Sequence, residues 1–270
     1  MKFGTLKDKV IVVTGGTGVL GESFVNCISE MGGTVVILGR NKEVAETRAS
    51  HIESKGGKAL ALVADVMDID SLVDARKIIL EKYGRIDGLV NGAGGNMPGA
   101  VVDPKDNLFE MDLGAMSKVL NLNLFGTING TQVFGEEIAK SGNGSIVNIS
   151  SMTSQRVITK VMGYSISKAA VDLYTKWFAV ELANRYGDKV RMNAIAPGFF
   201  ITEQNRRLLT NEDESYTDRG NAVIKQTPFK RFGSPDELEG ALIWLLSDES
   251  KFVTGTVINV DGGFSAFGGV

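Results

Sequence analysis

Cysteine, histidine and long apolar runs are scarce in this sequence of 270 residues. Cys27 is the only cysteine, which excludes a disulfide within the chain and a cysteine-rich zinc site. It favours a reducing compartment, by default the cytoplasm. His51 is the only histidine and lies in a polar stretch without a nucleophile motif. We therefore expect neither a Ser-His-Asp hydrolase nor a metal site.

Nothing in the sequence indicates a membrane or nucleic-acid partner. No apolar run is long enough to cross a bilayer, and the charges of Lys7, Asp8 and Lys9 before the first short apolar run are unlike a signal peptide. The 29 Lys and Arg residues against 32 Asp and Glu residues leave a formal charge of -3 without a long run of one sign. A small polar molecule is the expected partner.

Short β-branched runs alternate with longer segments of helical period. This alternation is typical of βαβ units, and it predicts one α/β domain over residues 1–270. We expect a doubly wound, Rossmann-type fold of about seven parallel strands with helices on both faces. The predicted strands are residues 10–14, 34–38, 59–64, 86–91, 145–150, 190–196 and 257–260. The predicted helices are residues 18–31, 42–54, 69–83, 113–139, 164–186 and 235–246.

One long polar and charged stretch, residues 199–232, falls between two of these elements without a clear period. Loops of this length in compact domains are usually functional lids or disordered. We predict a substrate lid.

The segment TGGTGVLG at residues 14–21 follows a strand and enters a helix. Bare backbone N–H groups and the positive end of a helix at such a turn can hold a pyrophosphate. Gly16, Gly18 and Gly21 form GxGxxG, a weak pattern alone that gains weight from the strand and helix around it. The sequence predicts a dinucleotide site.

The next predicted strand ends in Gly39 and Arg40, and no carboxylate follows until Glu43. An acidic side chain at this position bonds a free ribose 2'-hydroxyl, whereas an Arg accommodates a 2'-phosphate. The pattern favours NADP(H) as the cofactor. NAD(H) stays open, with Arg40 then only a solvated charge.

A phenol, an ammonium and a hydroxyl form a candidate proton-transfer set. Tyr164 and Lys168 are four residues apart at the start of a predicted helix, hence on one face. The ammonium and the charge of an oxidised nicotinamide are expected to draw the phenol pKa from about 10 toward neutrality. Ser151 ends a predicted strand, where its hydroxyl can bond the substrate oxygen. Ser150 is the alternative candidate for this role.

These residues resemble the short-chain dehydrogenase/reductase family, and the resemblance runs from the glycine segment to VDGG at residues 260–263. In that family the residues matching Ser151, Tyr164 and Lys168 are catalytic, with an Asn that holds the Lys through a water. The matching Asn is Asn123, in NLFG. The resemblance implies reversible hydride transfer between a nicotinamide and a secondary alcohol or ketone carbon.

The resemblance also assigns cofactor residues. It places Asp65 and Val66 beside the adenine, and PGFFIT at residues 197–202 around the nicotinamide carboxamide. NGAG at residues 91–94 stands where the family usually has NNAG, so that Gly92 lacks a side-chain hydrogen bond that stabilises the sheet. The expected cofactor-binding residues are Gly15, Thr17, Gly18, Val19, Leu20, Arg40, Asp65, Val66, Asn91, Ala93, Gly94, Tyr164, Lys168, Pro197, Gly198, Phe200 and Thr202.

The glycines fit two branches of the family. As TGxxxGxG, the spacing of the single-domain branch, the segment has Val19 in place of the middle glycine. As TGxxGxxG, the spacing of a longer branch, Gly15, Gly18 and Gly21 all match. The chain length and the NGAG, NLFG and PGFFIT motifs favour the single-domain branch. We therefore expect Gly18 to be the glycine at which the backbone comes closest to the pyrophosphate. Val19 should then face the core or the adenine side.

Polar side chains dominate the segments where this family binds substrate, which favours a sugar acid. The glycine segment, GGNMPGA, NRRLL and FKRFGSPDEL are most similar to the group that acts on D-mannonate and D-fructuronate. Alternatives are another sugar-acid or polyol dehydrogenase, a 3-oxoacyl carrier-protein reductase, or a non-catalytic dinucleotide sensor. The expected substrate residues are Asn96, Gln155, Arg156, Arg206 and Arg207.

The C-terminal stretch VDGGFSAFGGV carries Phe264 and Phe267 among small residues. In this family such residues often pack at a subunit interface, and the helix predicted at residues 164–186 can supply a second one. The resemblance implies a homotetramer.

The cofactor assignment is testable at Arg40. We expect kcat/KM to be higher with NADP than with NAD, and Arg40→Ala to reduce the value for NADP by about tenfold, since a charged hydrogen bond is worth about 1.5–3 kcal/mol. Steady-state kinetics with both cofactors measure this. A clear preference for NAD that Arg40→Ala leaves unchanged would contradict the assignment.

Overall fold

The computed structural model describes residues 4–202 and 206–269. Its strands are β1 (Val10–Thr14), β2 (Thr34–Gly39), β3 (Lys58–Val63), β4 (Gly88–Asn91), β5 (Gly144–Ile149), β6 (Val190–Pro197) and β7 (Val257–Val260). Its α-helices are α1 (Val19–Glu30), α2 (Lys42–Ser54), α3 (Ile69–Tyr83), α4 (Leu113–Leu120), α5 (Gly126–Lys140), α6 (Met162–Tyr186), α7 (Arg206–Leu209), α8 (Asp218–Gln226) and α9 (Glu239–Leu246).

The strands form one parallel sheet in the order β3-β2-β1-β4-β5-β6-β7. The sheet is seven-stranded over the described residues, which confirms the predicted Rossmann-type α/β fold. Helices α2 and α3 and strands β1 and β7 have the predicted bounds, and the other strands differ from prediction by one or two residues at one or both ends.

Two predicted helices are divided. Residues 113–139 form α4 and α5 with a π-helical turn at Asn121–Phe125 between them. Residues 235–246 begin with a 3-10 turn at Pro235–Leu238, capped by Ser234, and continue as α9.

Alternate residues of each central strand face opposite layers, as period 2 requires. On β1, Ile11 and Val13 pack in a buried cluster with residues of α1, α2 and α9. Val10 and Val12 pack in a second cluster with residues of α3, α5 and α6. Both faces of the sheet are therefore covered, which explains why these strands read as continuous apolar runs.

Buried amides fix α5 and α6 to the sheet. The Asn91 side chain donates to Thr131 Oγ1 over 3.1 Å and to Asn148 Oδ1 over 2.9 Å. Asn148 in turn donates to Thr175 Oγ1 over 2.9 Å. Asn91 thus supplies side-chain hydrogen bonds across the sheet in the NGAG motif, in which Gly92 has no side chain.

The carboxyl ends of β1, β4, β5 and β6 lie at one edge of the sheet because all these strands are parallel. Strands β1 and β4 are neighbours there, although their following connections go to opposite sides. Such a switch point opens a crevice in which ligands of doubly wound sheets bind. The glycine turn after β1 and Ser151 after β5 both lie at this edge.

Regular structure also occurs inside the stretch predicted as a lid. It contains α7 and α8, and its apolar residues turn inward onto Met152, next to Ser151. We call this group the lid cluster. It consists of Met152, Leu209, Val223, Phe232 and Phe264.

Phe264, in the C-terminal stretch, packs inside its own chain. Phe264 is buried within its own chain, where its ring contacts Phe199 edge to face at a centroid distance of 5.3 Å. The lid cluster thus already covers Phe264, and packing of the C-terminal stretch at a subunit interface stays a prediction.

An apolar stripe remains exposed along α6. Leu173, Trp177 and Val180 are 68%, 60% and 58% exposed, and their spacing places them on one side of the helix. Within the described part of the chain, no helix is both long and apolar enough to span a bilayer.

Candidate active site

The turn between β1 and α1 has the geometry of a phosphate cradle. Gly15 has a φ of +67°, and a Cβ there would lie 2.7 Å from the Ala93 nitrogen. A Cβ at Gly21 would overlap the Gly15 carbonyl oxygen. Gly18 precedes α1 without a side-chain cap, so the positive end of the helix faces outward. These residues fit a pyrophosphate.

The prediction that the backbone comes closest to the pyrophosphate at Gly18 concerns two residues, Gly18 and Val19. At Gly18 a Cβ would meet the Gly15 oxygen at 3.3 Å, so crowding within the chain is milder there than at Gly15. Val19 is 36% exposed at the first position of α1. The alternative that Val19 faces the core is therefore wrong. A position on the adenine side stays a prediction.

Arg48, a residue that the sequence analysis did not identify, holds this turn from α2. Its guanidinium donates to the carbonyl oxygens of Gly16 and Gly18 over 2.6 and 2.8 Å, and pairs with Glu22 at 3.0 Å. A planar guanidinium suits several oxygens at once. Arg48 therefore fixes both the turn and the first helix after it.

The adenosine end of the crevice lies at the carboxyl ends of β2 and β3. Arg40 is exposed directly after β2. The Thr17 side chain lies against Gly39, where any Cβ would overlap it. Val66 is buried, and Asp65 caps the next turn by accepting from the Met67 N–H over 2.9 Å. An acidic side chain at position 39 would displace Thr17.

Predicted cofactor residues after β4 and β6 flank the middle of the crevice. The Ala93 N–H donates to Thr14 Oγ1 over 3.3 Å, which ties this segment to β1. Gly198, next to Pro197, donates to the Val260 carbonyl over 2.9 Å. Phe200 pairs with Gly233 and turns its ring inward. Leu20 is half-buried in α1, and Thr202 is half-buried at the start of the lid stretch.

Tyr164, Ser151 and Lys168 meet at the start of α6. The Tyr164 and Ser151 hydroxyls are hydrogen-bonded to each other. The Lys168 ammonium lies 5.6 Å from the centre of the Tyr164 ring and donates to the Ile149 carbonyl over 2.7 Å. A proton donor, a second hydroxyl and a buried cation thus share one site.

Burial shifts the pKa values of both Tyr164 and Lys168. Burial raises the pKa of the Tyr164 phenol, and the hydrogen bond from Ser151 acts in the opposite direction. Burial also lowers the pKa of Lys168 to about 8, an effect that Asp172 opposes. The chain's own groups therefore keep the phenol protonated near neutral pH, as a proton donor in the reducing direction needs to be.

Asn123 lies fully buried in the π-helical turn. Its side-chain amide donates to the carbonyl oxygens of Gly95 and Val119 over 2.7 and 2.8 Å, and accepts from the Gly95 N–H over 3.0 Å. A Cβ at Gly94 would lie 2.6 Å from Asn123 Oδ1 and 3.3 Å from Lys168 Nζ. A glycine at 94 thus lets the chain pass between Asn123 and Lys168.

The two adjacent serines face different partners. Ser151 faces Tyr164, whereas the Ser150 hydroxyl donates to the Asp172 carboxylate inside the protein. Ser154 lies 2.5 Å from the other oxygen of the same carboxylate. Geometry favours Ser151 over Ser150 for contact with a substrate. The sequence analysis did not identify the buried Asp172 as a residue of the site.

Two of the predicted substrate residues, Gln155 and Arg156, bond other parts of the chain. The Gln155 and Asn259 amides bond each other twice, each over 2.9 Å, and Arg156 donates to the Phe267 carbonyl over 2.8 Å. Asn96 is half-buried beyond Gly95, and α7 begins with Arg206 and Arg207, both exposed. The side chains of Gln155 and Arg156 are therefore engaged within the chain.

A cavity of about 340 Å³ lies beside the start of α6, between the segment after β4 and α4. Met162 and Gly163, just before Tyr164, form part of its wall, and its acidic side chains are Asp106, Glu110 and Asp112. These carboxylates would repel a carboxylate ligand, so this cavity does not suit the acidic end of a sugar acid.

No cluster of three or more His, Cys, Asp or Glu side chains suited to a metal ion occurs in the residues 4–202 and 206–269. A dinucleotide cradle, a phenol with a buried ammonium, and a switch-point crevice instead define an oxidoreductase that acts on alcohol or ketone groups. Residues 18–265 match the family described as enoyl-(acyl carrier protein) reductase. The chain belongs to the short-chain dehydrogenase/reductase family.

Similar proteins span nearly the whole chain. An uncharacterized oxidoreductase of Bacillus subtilis, UxuB, is 42% identical over 98% of both chains. The crystal structure of a candidate D-mannonate oxidoreductase from Haemophilus influenzae with bound NAD has 38% identity and a TM-score of 0.92, with 98% of both chains covered. A gluconate 5-dehydrogenase from Burkholderia cenocepacia, solved with NADP and tartrate, has 32% identity, 97% coverage of both chains and a TM-score of 0.86.

Gly94→Ala tests the geometry around Lys168. The new methyl group would press on Asn123 and Lys168, so we expect kcat to fall by at least about tenfold while the fold is kept, because small displacements of catalytic groups are costly. Kinetics and circular dichroism measure the two effects. Gly240→Ala on α9, where a Cβ meets no atom within 4 Å, is the control. Wild-type kcat in Gly94→Ala would argue against this arrangement.

Proposed function

We propose that this enzyme interconverts a secondary alcohol and a ketone on a sugar acid of the D-mannonate/D-fructuronate type. The meeting of Ser151, Tyr164 and Lys168 beside Asn123 carries the reaction. The substrate class is supported by the resemblance to a candidate D-mannonate oxidoreductase and to a gluconate 5-dehydrogenase. NADP(H) is the proposed cofactor, with NAD(H) the alternative.

In the reducing direction, Tyr164 donates its proton to the carbonyl oxygen of the substrate, and Ser151 donates a hydrogen bond to the same oxygen. A nicotinamide bound in the crevice would supply the hydride chemistry. Lys168 places positive charge beside the phenolate that forms, and this charge lowers the barrier to proton transfer. Asn123 holds the segment at Gly95 in place and completes the proton relay through a water.

The residues of the turn and of the strand ends fit the dinucleotide. Gly15, Gly18 and the first turn of α1 would hold the pyrophosphate, and Arg40 would reach a 2'-phosphate on the adenosine ribose. The contact of Thr17 with Gly39 supports NADP(H), because it leaves no room for the carboxylate that bonds a free 2'-hydroxyl.

The alternative is a 3-oxoacyl carrier-protein reductase, which shares the same proton-transfer set. A 34% identical relative from Thermotoga maritima, a 3-oxoacyl-[acyl-carrier-protein] reductase, supports it. The charged and polar lid stretch favours a sugar acid instead, since Arg206 and Arg207 are exposed and available to a carboxylate. We propose the lid at residues 199–232 as the substrate-binding part of a single domain over residues 1–270.

A substrate panel distinguishes the two functions. We expect reduced cofactor to form with D-mannonate, less with D-gluconate and polyols, and no oxidation of NADPH by 3-oxoacyl thioesters. Tyr164→Phe should lower kcat/KM by at least about 100-fold, the usual contribution of a general acid. Tyr186→Phe at the exposed end of α6 is the control. Turnover of 3-oxoacyl thioesters alone would refute the sugar-acid assignment.

We also propose a homotetramer in the cytoplasm, the compartment that the single Cys27 favours. The exposed stripe of α6 supports this assembly, because a patch of large apolar side chains on one helix face is typical of a subunit interface.

Trp177→Glu tests this interface. A charge buried without a partner is costly, so we expect the variant to elute as a smaller species than the wild type in size-exclusion chromatography with light scattering. Lys55→Glu, at the exposed end of α2, should elute as the wild type does. An unchanged mass for Trp177→Glu would exclude the α6 stripe as an interface.

A further inference from the structure

Asp172 is a buried carboxylate to which the proposed reaction assigns no role. It is 8% exposed and lies one helical turn after Lys168 on α6. Residues four apart lie on the same side of a helix, so Asp172 follows Lys168 directly along the face that packs on the turn after β5. Its negative charge acts on the Lys168 ammonium.

Two hydroxyls hold this carboxylate. Ser150 donates to one oxygen, and Ser154 lies 2.5 Å from the other. Ser150 also lies 3.4 Å from the Lys168 carbonyl oxygen, and Ser154 lies 2.7 Å from the Ser151 carbonyl. Both serines flank Ser151 in the chain, so the same contacts fix the Ser151 segment against α6.

Among the described residues, the other groups that meet Lys168 carry no charge. From β5 the Ile149 carbonyl accepts a hydrogen bond from the ammonium, and the Asn123 amide approaches it across Gly94. On α6 the protonated phenol of Tyr164 carries no charge. A buried ammonium needs a nearby negative charge to offset the loss of water, and Asp172 is the carboxylate that acts on it.

We propose that Asp172 is a positioning residue for the reaction, whose carboxylate, fixed by Ser150 and Ser154, keeps the Lys168 side chain charged and aligned with Tyr164. The proposal rests on the roles of Tyr164 and Lys168 given above. It assigns a function to Ser150 that differs from the substrate contact of Ser151.

Asp172→Asn separates charge from packing. Removal of the carboxylate charge lowers the pKa of Lys168 further below its usual value, so the ammonium is lost at a lower pH as the pH rises. We expect the alkaline limb of kcat/KM to move down by about one pH unit, the lower end of the effect of a close opposite charge. The measurement is a profile from about pH 6 to about pH 10, which spans the titration of a perturbed lysine and phenol.

Three further variants define the controls. Asp172→Glu keeps the charge and should keep the alkaline limb at the wild-type pH while kcat falls. Asp172→Ser is a second neutral variant, whose hydroxyl can still bond Ser150 or Ser154, and it should shift the limb as Asp172→Asn does. In a Lys168→Arg background, where the guanidinium does not titrate in this range, Asp172→Asn should leave the limb unmoved.

The outcomes distinguish this proposal from the proposed function. If neutral variants lower activity equally at every pH, with the limb unmoved, Asp172 only packs the Ser151 segment and the proposal is wrong. If Tyr164→Phe or Lys168→Ala keeps wild-type activity, the assignment of the acid/base set fails instead. Thermal unfolding of each variant shows that the profile belongs to folded enzyme.

Discussion

A buried ammonium is the constraint on which this site depends. Lys168 is 4% exposed, and a charge removed from water at that depth costs several kcal/mol unless oxygens and a counter-charge surround it. The chain supplies them from separate elements: the Ile149 carbonyl from β5, the Asp172 charge from α6, and the Asn123 amide across Gly94. The parallel sheet brings these elements to one edge.

Local pattern accounts for most of the fold. Apolar period and turn residues indicate which face of an element is buried, so the bounds of α2, α3, β1 and β7 follow from the sequence. The π-helical turn does not follow, because NLNLF continues the apolar period of the helix around it. Asn123 instead bonds Gly95, 28 residues earlier in the chain, and such distant contacts leave no local signal.

The same limit applies to the site. Tyr164 and Lys168 could be predicted because a four-residue spacing on a helix reports proximity, and Asp172 continues that spacing, a signal that was present but not used. Arg48 reaches a turn 30 residues away in the chain, and Gln155 finds Asn259 at a separation of 104. Pairings of this kind depend on the completed fold, and a local sequence pattern does not indicate them.

The π-helical turn makes the helical segment from α4 to α5 sensitive to length. A π turn holds one more residue than an α turn, and each residue rotates a helix by about 100°. Removal of one residue from Asn121–Phe125 would restore regular winding, yet it would turn Asn123 away from Gly95 and rotate Thr131 away from Asn91. Insertions and deletions here should therefore be far rarer among relatives than substitutions.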